Sequence, residues 1–242
     1  MWRVTKRSVD GKSRFCQATE KEGAQYMSIE TLLVFASGGK NPEDGGSGFQ
    51  KLVEASRTGI IDGTIVGVVS NHVQGGVYMR AKELGIQFFH SPKGRTANDY
   101  HNIISASHAK WVALSGWLGH IEGHDPAKTF NIHPAFDLDR FGGKGMHGRH
   151  VHEAVWEAFL KEEITHTGIT MHFVTARYDD PGAVFFKRSL PITKSFRNAR
   201  VLGQAVNLLE HAWQAKITNR VIHGEISWNG QNPASIRGTD IE

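Results

Sequence analysis

Leu32-Leu33-Val34-Phe35-Ala36-Ser37-Gly38-Gly39 sets the architecture of this chain, because a short apolar run passes directly into glycines. The run predicts a buried strand over 32–37, and a glycine-rich loop leads from it to a helix that we expect to start near Phe49. Leu52 and Val53 share one face of that helix with Phe49. A strand, a glycine loop and an amphipathic helix in this order predict a β-α unit.

The same alternation of apolar runs and helical periodicity continues along the chain, which predicts an α/β fold with a mainly parallel central sheet flanked by helices. We expect a long helix over 202–221, an exposed hairpin edge over 225–230 and a loose tail from Gln231. Val77, Ala81 and Leu84 are predicted to form a face of the second helix, and Ile103, Ile104 and His108 part of a third. The further predicted strands are 63–70, 87–90, 111–115, 129–133, 168–175 and 184–191.

Composition is that of an ordinary globular protein. Of the 242 residues, 39% are hydrophobic and 21% charged, and 27 glycines against 7 prolines indicate many tight turns. The single cysteine, Cys16, excludes an internal disulfide, so we predict a cytoplasmic protein. The net charge of +4 suits anionic small molecules, whereas dense basic runs are absent after residue 14. We therefore predict no nucleic-acid partner and, because the apolar runs are short, no membrane partner.

The length fits one large domain, which we place at 30–230, followed by a C-terminal tail at 231–242. Residues 1–29 are predicted to be a polar, flexible N-terminal extension. They carry basic residues but no apolar core of the kind a secretory signal needs, and an organellar transit segment is the alternative.

Asn131-Ile132-His133-Pro134 places an amide and an imidazole two residues apart, at the end of an apolar strand. Pro134 disfavours continuation of the strand ladder, so these side chains should lie where open α/β sheets bind their ligands. A second turn, Asp179-Asp180-Pro181-Gly182, follows a period-2 strand. Locally it reads as a solvated turn, but a carboxylate beside His133 would tune that imidazole for acid and base work.

The loop from Ser37 to Gly48 could hold an anion, because glycines before a helix leave backbone N–H groups free. It is neither a Walker loop nor a dinucleotide fingerprint, and an ordinary strand-to-helix turn is the alternative. His147, His150 and His152 lack the spacing of a zincin, so we predict no metal site.

Several ordered segments between residues 31 and 230 together resemble the phosphoribosylglycinamide formyltransferases, a family of folate-dependent enzymes of purine synthesis. The resemblance implies the three-layer Rossmann-like formyltransferase fold. The segments are the glycine loop, Val69-Ser70-Asn71, Leu114-Ser115-Gly116-Trp117-Leu118, Phe130-Asn131-Ile132-His133-Pro134, Gly142-Gly143-Lys144-Gly145-Met146, Val151-His152-Glu153-Ala154, His172-Phe173-Val174-Thr175 with Asp179, and Glu210-His211.

The resemblance implies formyl transfer from 10-formyltetrahydrofolate, as co-substrate, to the amine of glycinamide ribonucleotide, with no metal and no covalent enzyme intermediate. It assigns Asn131 to the formyl oxygen, His133 to acid and base work on the tetrahedral intermediate, and Asp179 to keeping His133 charged. It places the ribonucleotide at Gly46, Ser47, Gly48, Pro134, Asn207 and Glu210. It places the folate at Arg95, Leu118, Gly119, His120, Ile121, Asn131, Thr175, Ala176, Arg177, Tyr178 and Asp179. A monomer or a homodimer is expected.

Three features depart from the family pattern. The glycine loop is longer, with 40–45 as an insertion, and Gly48 stands where asparagine is common. Gly119 replaces a common basic residue, and Asp180-Pro181-Gly182 replaces Gly-Gly-Pro. We expect these changes to leave the chemistry intact and to alter the phosphate contacts, and we hypothesise that Lys40 supplies a new one.

Related activities remain as alternatives at this stage. A methionyl-tRNA formyltransferase should carry a further C-terminal domain, and a formyltetrahydrofolate hydrolase a further N-terminal one, so the length disfavours both. A sugar-nucleotide formyltransferase would use another amine. A folate- or nucleotide-binding protein without turnover should lack one of Asn131, His133 and Asp179, and all three are present.

Overall fold

The computed structural model describes residues 29–92 and 94–242, which contain eight strands in one mixed sheet. The strands are β1 (Thr31–Phe35), β2 (Thr64–Ser70), β3 (Phe88–His90), β4 (Trp111–Ser115), β5 (Thr129–His133), β6 (His166–Phe173), β7 (Val184–Pro191) and β8 (Asp240–Ile241). Their order is β3-β2-β1-β4-β5-β6-β7-β8. The first five are parallel, β6 is antiparallel to both β5 and β7, and β8 is parallel to β7. The predicted mainly parallel sheet is confirmed.

Six α-helices within the described part of the chain accompany the sheet. They are α1 (Ser47–Arg57), α2 (Gly76–Leu84), α3 (Ala97–Ser107), α4 (Leu138–Phe141), α5 (Arg149–Leu160) and α6 (Ala199–Ile222). The Asn198 side chain accepts a hydrogen bond from the Val201 N–H and so caps α6. The long helix predicted over 202–221 is confirmed, with slightly wider bounds.

Helices cover both faces of the sheet, as the side chains of β1 show. Leu32 and Val34 belong to a core that includes Phe49 of α1, whereas Leu33 and Phe35 belong to a separate core that includes Tyr100 of α3. Because successive strand residues point to opposite faces, an apolar run without polar interruptions is what a strand buried on both faces requires. The result is the three-layer arrangement predicted from the sequence.

The strand order reverses direction at β1. The chain leaves β1 for β2 on one side, and later returns to place β4 on the other side. The loops after β1 and β4 therefore diverge at the carboxyl end of the sheet and leave a crevice between them, which is the usual ligand position in open α/β sheets.

Several local predictions were wrong. The tail beyond Gln231 is not loose, because β8 pairs with β7 and Asp240 forms ion pairs with Arg188 and Arg220. The segment 225–230 is not simply exposed: Ile226 and Trp228 are buried. These contacts depend on partners far away in the chain, which local periodicity does not reveal.

His108 was predicted to share a face of the third helix with Ile103 and Ile104, but it lies just past the end of α3, is exposed and has a φ of 54°. The predicted N-terminal extension lies outside the described residues, except for Ile29. Within the described ranges, no helix has the length and apolar character needed to cross a bilayer.

Candidate active site

A cleft of about 420 Å³ opens at the carboxyl ends of β1, β4 and β5. The glycine loop before α1 forms one wall, and the segments 114–121 and 143–148 form others. Residues of β5, β6 and α6 and the loop around Asp179 complete it. Segments that are distant in sequence thus meet at the crevice that the strand order creates.

Asn131, His133 and Asp179 meet in this cleft. The Asn131 Nδ2 donates a hydrogen bond to Asp179 Oδ1 over 3.3 Å, and Asp179 Oδ2 lies 3.4 Å from His133 Nδ1. Asn131 and His133 are two residues apart on β5, so their side chains leave the same face of the sheet. The three residues singled out from the sequence are close enough to act together.

His172 joins this cluster, although it was not among the predicted site residues. Antiparallel pairing of β5 and β6 places it directly opposite Asn131. Its Nε2 lies 3.1 Å from Asn131 Nδ2 and 3.3 Å from Asp179 Oδ1, and its Nδ1 donates to the Phe173 carbonyl. The sequence showed His172 in a period-2 strand, but the pairing register that brings it to Asn131 is a tertiary property.

The carboxylate of Asp179 is the centre of the cluster. Besides its side-chain partners, it accepts a hydrogen bond of 2.9 Å from the Gly143 N–H. Burial opposes its charged form, but hydrogen bonds and charge interactions with His133 and His172 outweigh burial and hold the pKa of Asp179 well below its ordinary value. Asp179 is therefore a carboxylate throughout the neutral range.

The ring of His133 is held between two acceptors. Its Nε2 donates to the Phe141 carbonyl over 2.8 Å, while its Nδ1 faces the Asp179 carboxylate. Both ring nitrogens of His133 thus face oxygen atoms, which fixes the orientation of the ring in the cluster.

The neighbouring Asp180 has a different task from Asp179. Its carboxylate accepts hydrogen bonds from the Thr175 hydroxyl and the Gly182 N–H, and so caps the short 3₁₀ turn Pro181–Ala183. Of the two adjacent carboxylates, Asp179 reaches the cluster and Asp180 shapes the loop that carries it.

The lengthened glycine loop closes on itself. Asn41 donates to the Asp44 side chain, and the Gly39 N–H donates to the Asp44 carbonyl. Gly46 then precedes α1 with a φ of 79°, and no side chain caps the helix. Gly46, Ser47 and Gly48 line the cleft, so the start of α1 borders it without a capping side chain, whereas Lys40 is exposed and does not line the cleft. No contact here supports the Lys40 hypothesis.

Four side chains of α6 line the cleft as one helical stripe: Asn207, Glu210, His211 and Gln214. Asn207 Nδ2 donates to Glu210 Oε2 over 3.1 Å, and His211 Nε2 lies 3.2 Å from the Ser47 hydroxyl. Burial raises the pKa of Glu210 to about 7, although the bond from Asn207 acts in the opposite direction. Asn207 and Glu210, which the resemblance assigns to the ribonucleotide, thus line the cleft together with His211 and Gln214.

Some of the predicted folate residues line the cleft and others do not. Three of them do not line the cleft: Arg95 contacts Asp99 and the His90 carbonyl, Thr175 supports the Asp180 loop, and Ala176 is exposed. The rings of His120 and Tyr178 are 4.6 Å apart and form a partly aromatic wall. The predicted folate residues that do line the cleft are Leu118, Gly119, His120, Ile121, Asn131, Arg177, Tyr178 and Asp179, and Pro134 from the predicted ribonucleotide set lines it too.

The histidines considered for a metal do not form a centre. The rings of His147 and His150 are 5.6 Å apart, while burial lowers the pKa of His152 to about 4. Across residues 29–92 and 94–242, no group of three or more histidine, cysteine or acidic side chains is arranged to hold a metal ion.

The chain belongs to the formyl transferase family, whose model matches residues 33–218. It is 31% identical over 205 residues to the chloroplastic phosphoribosylglycinamide formyltransferase of Vigna unguiculata, an alignment that covers 79% of this chain and 62% of the relative. The corresponding Arabidopsis thaliana protein is 30% identical over 206 residues, with 80% and 61% covered. The chain thus spans about three fifths of the length of these relatives.

A solved structure supports the fold independently. Glycinamide ribonucleotide transformylase 1 from Symbiobacterium toebii superposes with a TM-score of 0.71 at 23% identity, over 90% of this chain and 99% of that one. The formyltransferase fold implied by the sequence resemblance is confirmed.

Proposed function

We propose that the protein transfers the formyl group of 10-formyltetrahydrofolate to the amine of glycinamide ribonucleotide, a step of purine synthesis. The observation that carries the proposal is the cluster of Asn131, His133 and Asp179 beside a helix start that can hold a phosphate. The plant relatives bear this activity in their names, which supports the same acceptor here.

The reaction needs no group beyond the two substrates. The amine nitrogen attacks the formyl carbon and forms the new C–N bond, and the carbonyl oxygen becomes an oxyanion. The bond to N10 of the folate then breaks, and the proton released by the amine ends on N10. The protein must align both substrates, stabilise the oxyanion and move this proton.

Asn131 and His133 would stabilise the oxyanion. The Asn131 Nδ2 contacts His172 and Asp179, and we propose that one of these contacts is exchanged for the formyl oxygen when the folate binds. The His133 imidazolium supplies positive charge within the same cluster. Both interactions strengthen as negative charge develops on the oxygen, so they favour the transition state over the ground state.

Asp179 would act on both His133 and the moving proton. Its low pKa keeps it ionised, and its negative charge stabilises the imidazolium form of His133. We propose that it also assists proton transfer from the attacking amine, directly or through a water molecule.

Two ends of the cleft would hold the two substrates. The first turn of α1 would bind the phosphate of the ribonucleotide, and Asn207 and Glu210 its ribose and glycinamide. The folate would occupy the end lined by segment 118–121 and by Arg177 and Tyr178, with its ring on apolar side chains.

The test is to mix the protein with a 10-formyl-folate analogue and candidate amines, and to follow the absorbance of the deformylated product. Product is expected with glycinamide ribonucleotide, and little with a sugar-nucleotide amine or with no amine. Product without any amine would indicate hydrolysis. Binding of both substrates with no product in any mixture would leave a non-catalytic binding protein.

The location in the cell is a separate question. Both plant relatives are named as chloroplastic, which favours an organellar location over the cytoplasmic one predicted from the sequence. A fluorescent protein fused after residue 29 tests this, because an organellar signal within residues 1–29 would remove the fusion from the cytoplasm.

A further inference from the structure

A buried amide nitrogen without a partner among the described residues belongs to Gln214, which lines the cleft between α6 and α1. Gln214 is only 3% exposed, and its Oε1 accepts a hydrogen bond of 3.2 Å from the Ser115 hydroxyl. Its Nε2 has no hydrogen-bond partner among the described residues. Buried donors in folded proteins are nearly always paired, so this amide indicates a partner that the protein does not itself provide.

Gly48 allows this amide to stand against the first turn of α1. A Cβ atom at position 48 would lie 2.2 Å from the Ser115 Oγ and 3.3 Å from the Gln214 Oε1. Any larger residue at position 48 would therefore push the Ser115–Gln214 pair away from the helix start. The glycine at position 48, where the family commonly has asparagine, thus leaves the space that the Ser115–Gln214 pair occupies.

Two elements at this wall of the cleft carry donors that no side chain pairs. From α1 come N–H groups with no side-chain cap and no acidic residue in the first turn, and from α6 comes the amide of Gln214. Oriented N–H groups and the positive end of the helix dipole favour an anion. Among the described residues Arg177 is the one lysine or arginine that lines the cleft, so neutral donors matter for holding an anion here.

The carboxyl of Glu210, in the same stripe of α6, affects where along this helix an anion can bind. The carboxyl of Glu210 lies one helical turn before Gln214 on α6 and would repel an anion when ionised. An anionic group is therefore favoured at the Gln214 end of the stripe.

We propose that Gln214 is a specificity-determining residue, whose Nε2 donates a hydrogen bond to a phosphate oxygen of a phosphomonoester held at the start of α1. The proposal rests on the proposed function in taking that phosphomonoester to be the acceptor substrate. It adds a donor on α6, opposite the glycine loop, to the phosphate subsite.

The test measures ribose 5-phosphate and ribose binding by titration calorimetry for the wild type and for Gln214→Leu, Gln214→Met and Gln214→Glu. Loss of a hydrogen bond to a charged group should weaken ribose 5-phosphate binding about 10- to 100-fold in the Leu and Met variants. The Glu variant should weaken it further through charge repulsion. Ribose binding should not change, and Gln204→Leu, at an exposed position of the same helix, is the matched control.

Two results would overturn the proposal: a wild type that does not prefer ribose 5-phosphate over ribose, or a folded Leu or Met variant that binds ribose 5-phosphate as the wild type does. Two variants are used so that a fold defect in one of them leaves the other as the test. Thermal melting shows whether each variant is folded. The test is independent of turnover. If the wild type formylates no amine but binds ribose 5-phosphate through Gln214, the proposed function fails and the subsite stands.

Discussion

Asp179 has a backbone φ of 44°, in the left-handed region that few non-glycine residues adopt. Aspartate is among the residues that tolerate this conformation best, and strained backbone is common where a side chain must be aimed. Here the conformation directs the carboxylate at Asn131, His133 and His172. One residue thus couples two imidazoles and an amide in the cleft.

Replacing Asp179 with asparagine should lower kcat by about two to four orders of magnitude, because His133 loses the negative charge that stabilises its charged form. Binding of the folate and ribonucleotide should change much less, since the cluster acts mainly on the transition state. Steady-state kinetics together with calorimetric binding separate the two effects.

The matched control for Asp179 is Asp62→Asn, because Asp62 is 85% exposed and lies outside the cleft. This variant should retain wild-type kcat. A near-normal kcat in Asp179→Asn, in a protein shown to be folded, would remove Asp179 from the proposed mechanism.

Helix α6 contributes more residues to the cleft than any other described helix or strand. Asn207, Glu210, His211 and Gln214 recur at helical spacing and so share one face, while the buried Val206, Ile217 and Val221 pack into the core. The helix therefore serves both the core and the site. Because the same helix packs into the core, Glu210 is partly withdrawn from water, and this burial raises its pKa.

The raised pKa of Glu210 predicts a pH-dependent loss of stability. Its ordinary pKa is 4.5 and its value in the folded protein is about 7, so between these values the folded state binds more protons than the unfolded state. Stability from this residue is then present below pH 4.5 and is lost as pH rises to about 7. Relative to Glu210→Gln, the wild type should lose about 2–3 kcal/mol across this range.

Urea denaturation at several pH values measures this difference, and most other titrating groups cancel in the comparison of the two proteins. Glu83→Gln, at an exposed position of α2, is the control and should show no such trend. A constant difference between wild type and Glu210→Gln from pH 4.5 to 7 would contradict the prediction.

At the scale of the molecule, the C-terminal tail completes the sheet and neutralises charge. Arg188 is 11% exposed and stacks over the Trp213 ring at 4.2 Å, and it pairs with Asp240 and Glu242. Asp240 also pairs with Arg220 of α6. The tail therefore connects β7 to α6 on the side of the sheet away from β3.

Deleting residues 239–242 should reduce the free energy of unfolding by about 1–2 kcal/mol, because Arg188 is left largely buried without an acidic partner. Urea denaturation measures the loss, and kcat should be unchanged because the tail does not line the cleft. Glu242→Ala alone should cost less than about 0.5 kcal/mol, since Glu242 is 60% exposed. An undiminished unfolding free energy in the deletion would show that the tail is dispensable.

The sequence by itself determined strands β1 to β7, the long last helix and the position of Asn131 and His133. These features are local: apolar runs set β1 and β4, helical periodicity sets α6, and Pro134 ends the ladder after β5. The link to Asp179 came from resemblance to a family, because nothing local separates Asp179 from its neighbour Asp180.

Only the tertiary structure decided which side chains complete the site. His172 reaches Asn131 through antiparallel register, and Gln214 faces Ser115 because α6 packs beside the start of α1. The pairing of β8 with β7 has the same origin. Register and packing depend on contacts between residues far apart in the chain. The local pattern of one segment does not contain the energies of those contacts, so it cannot predict them.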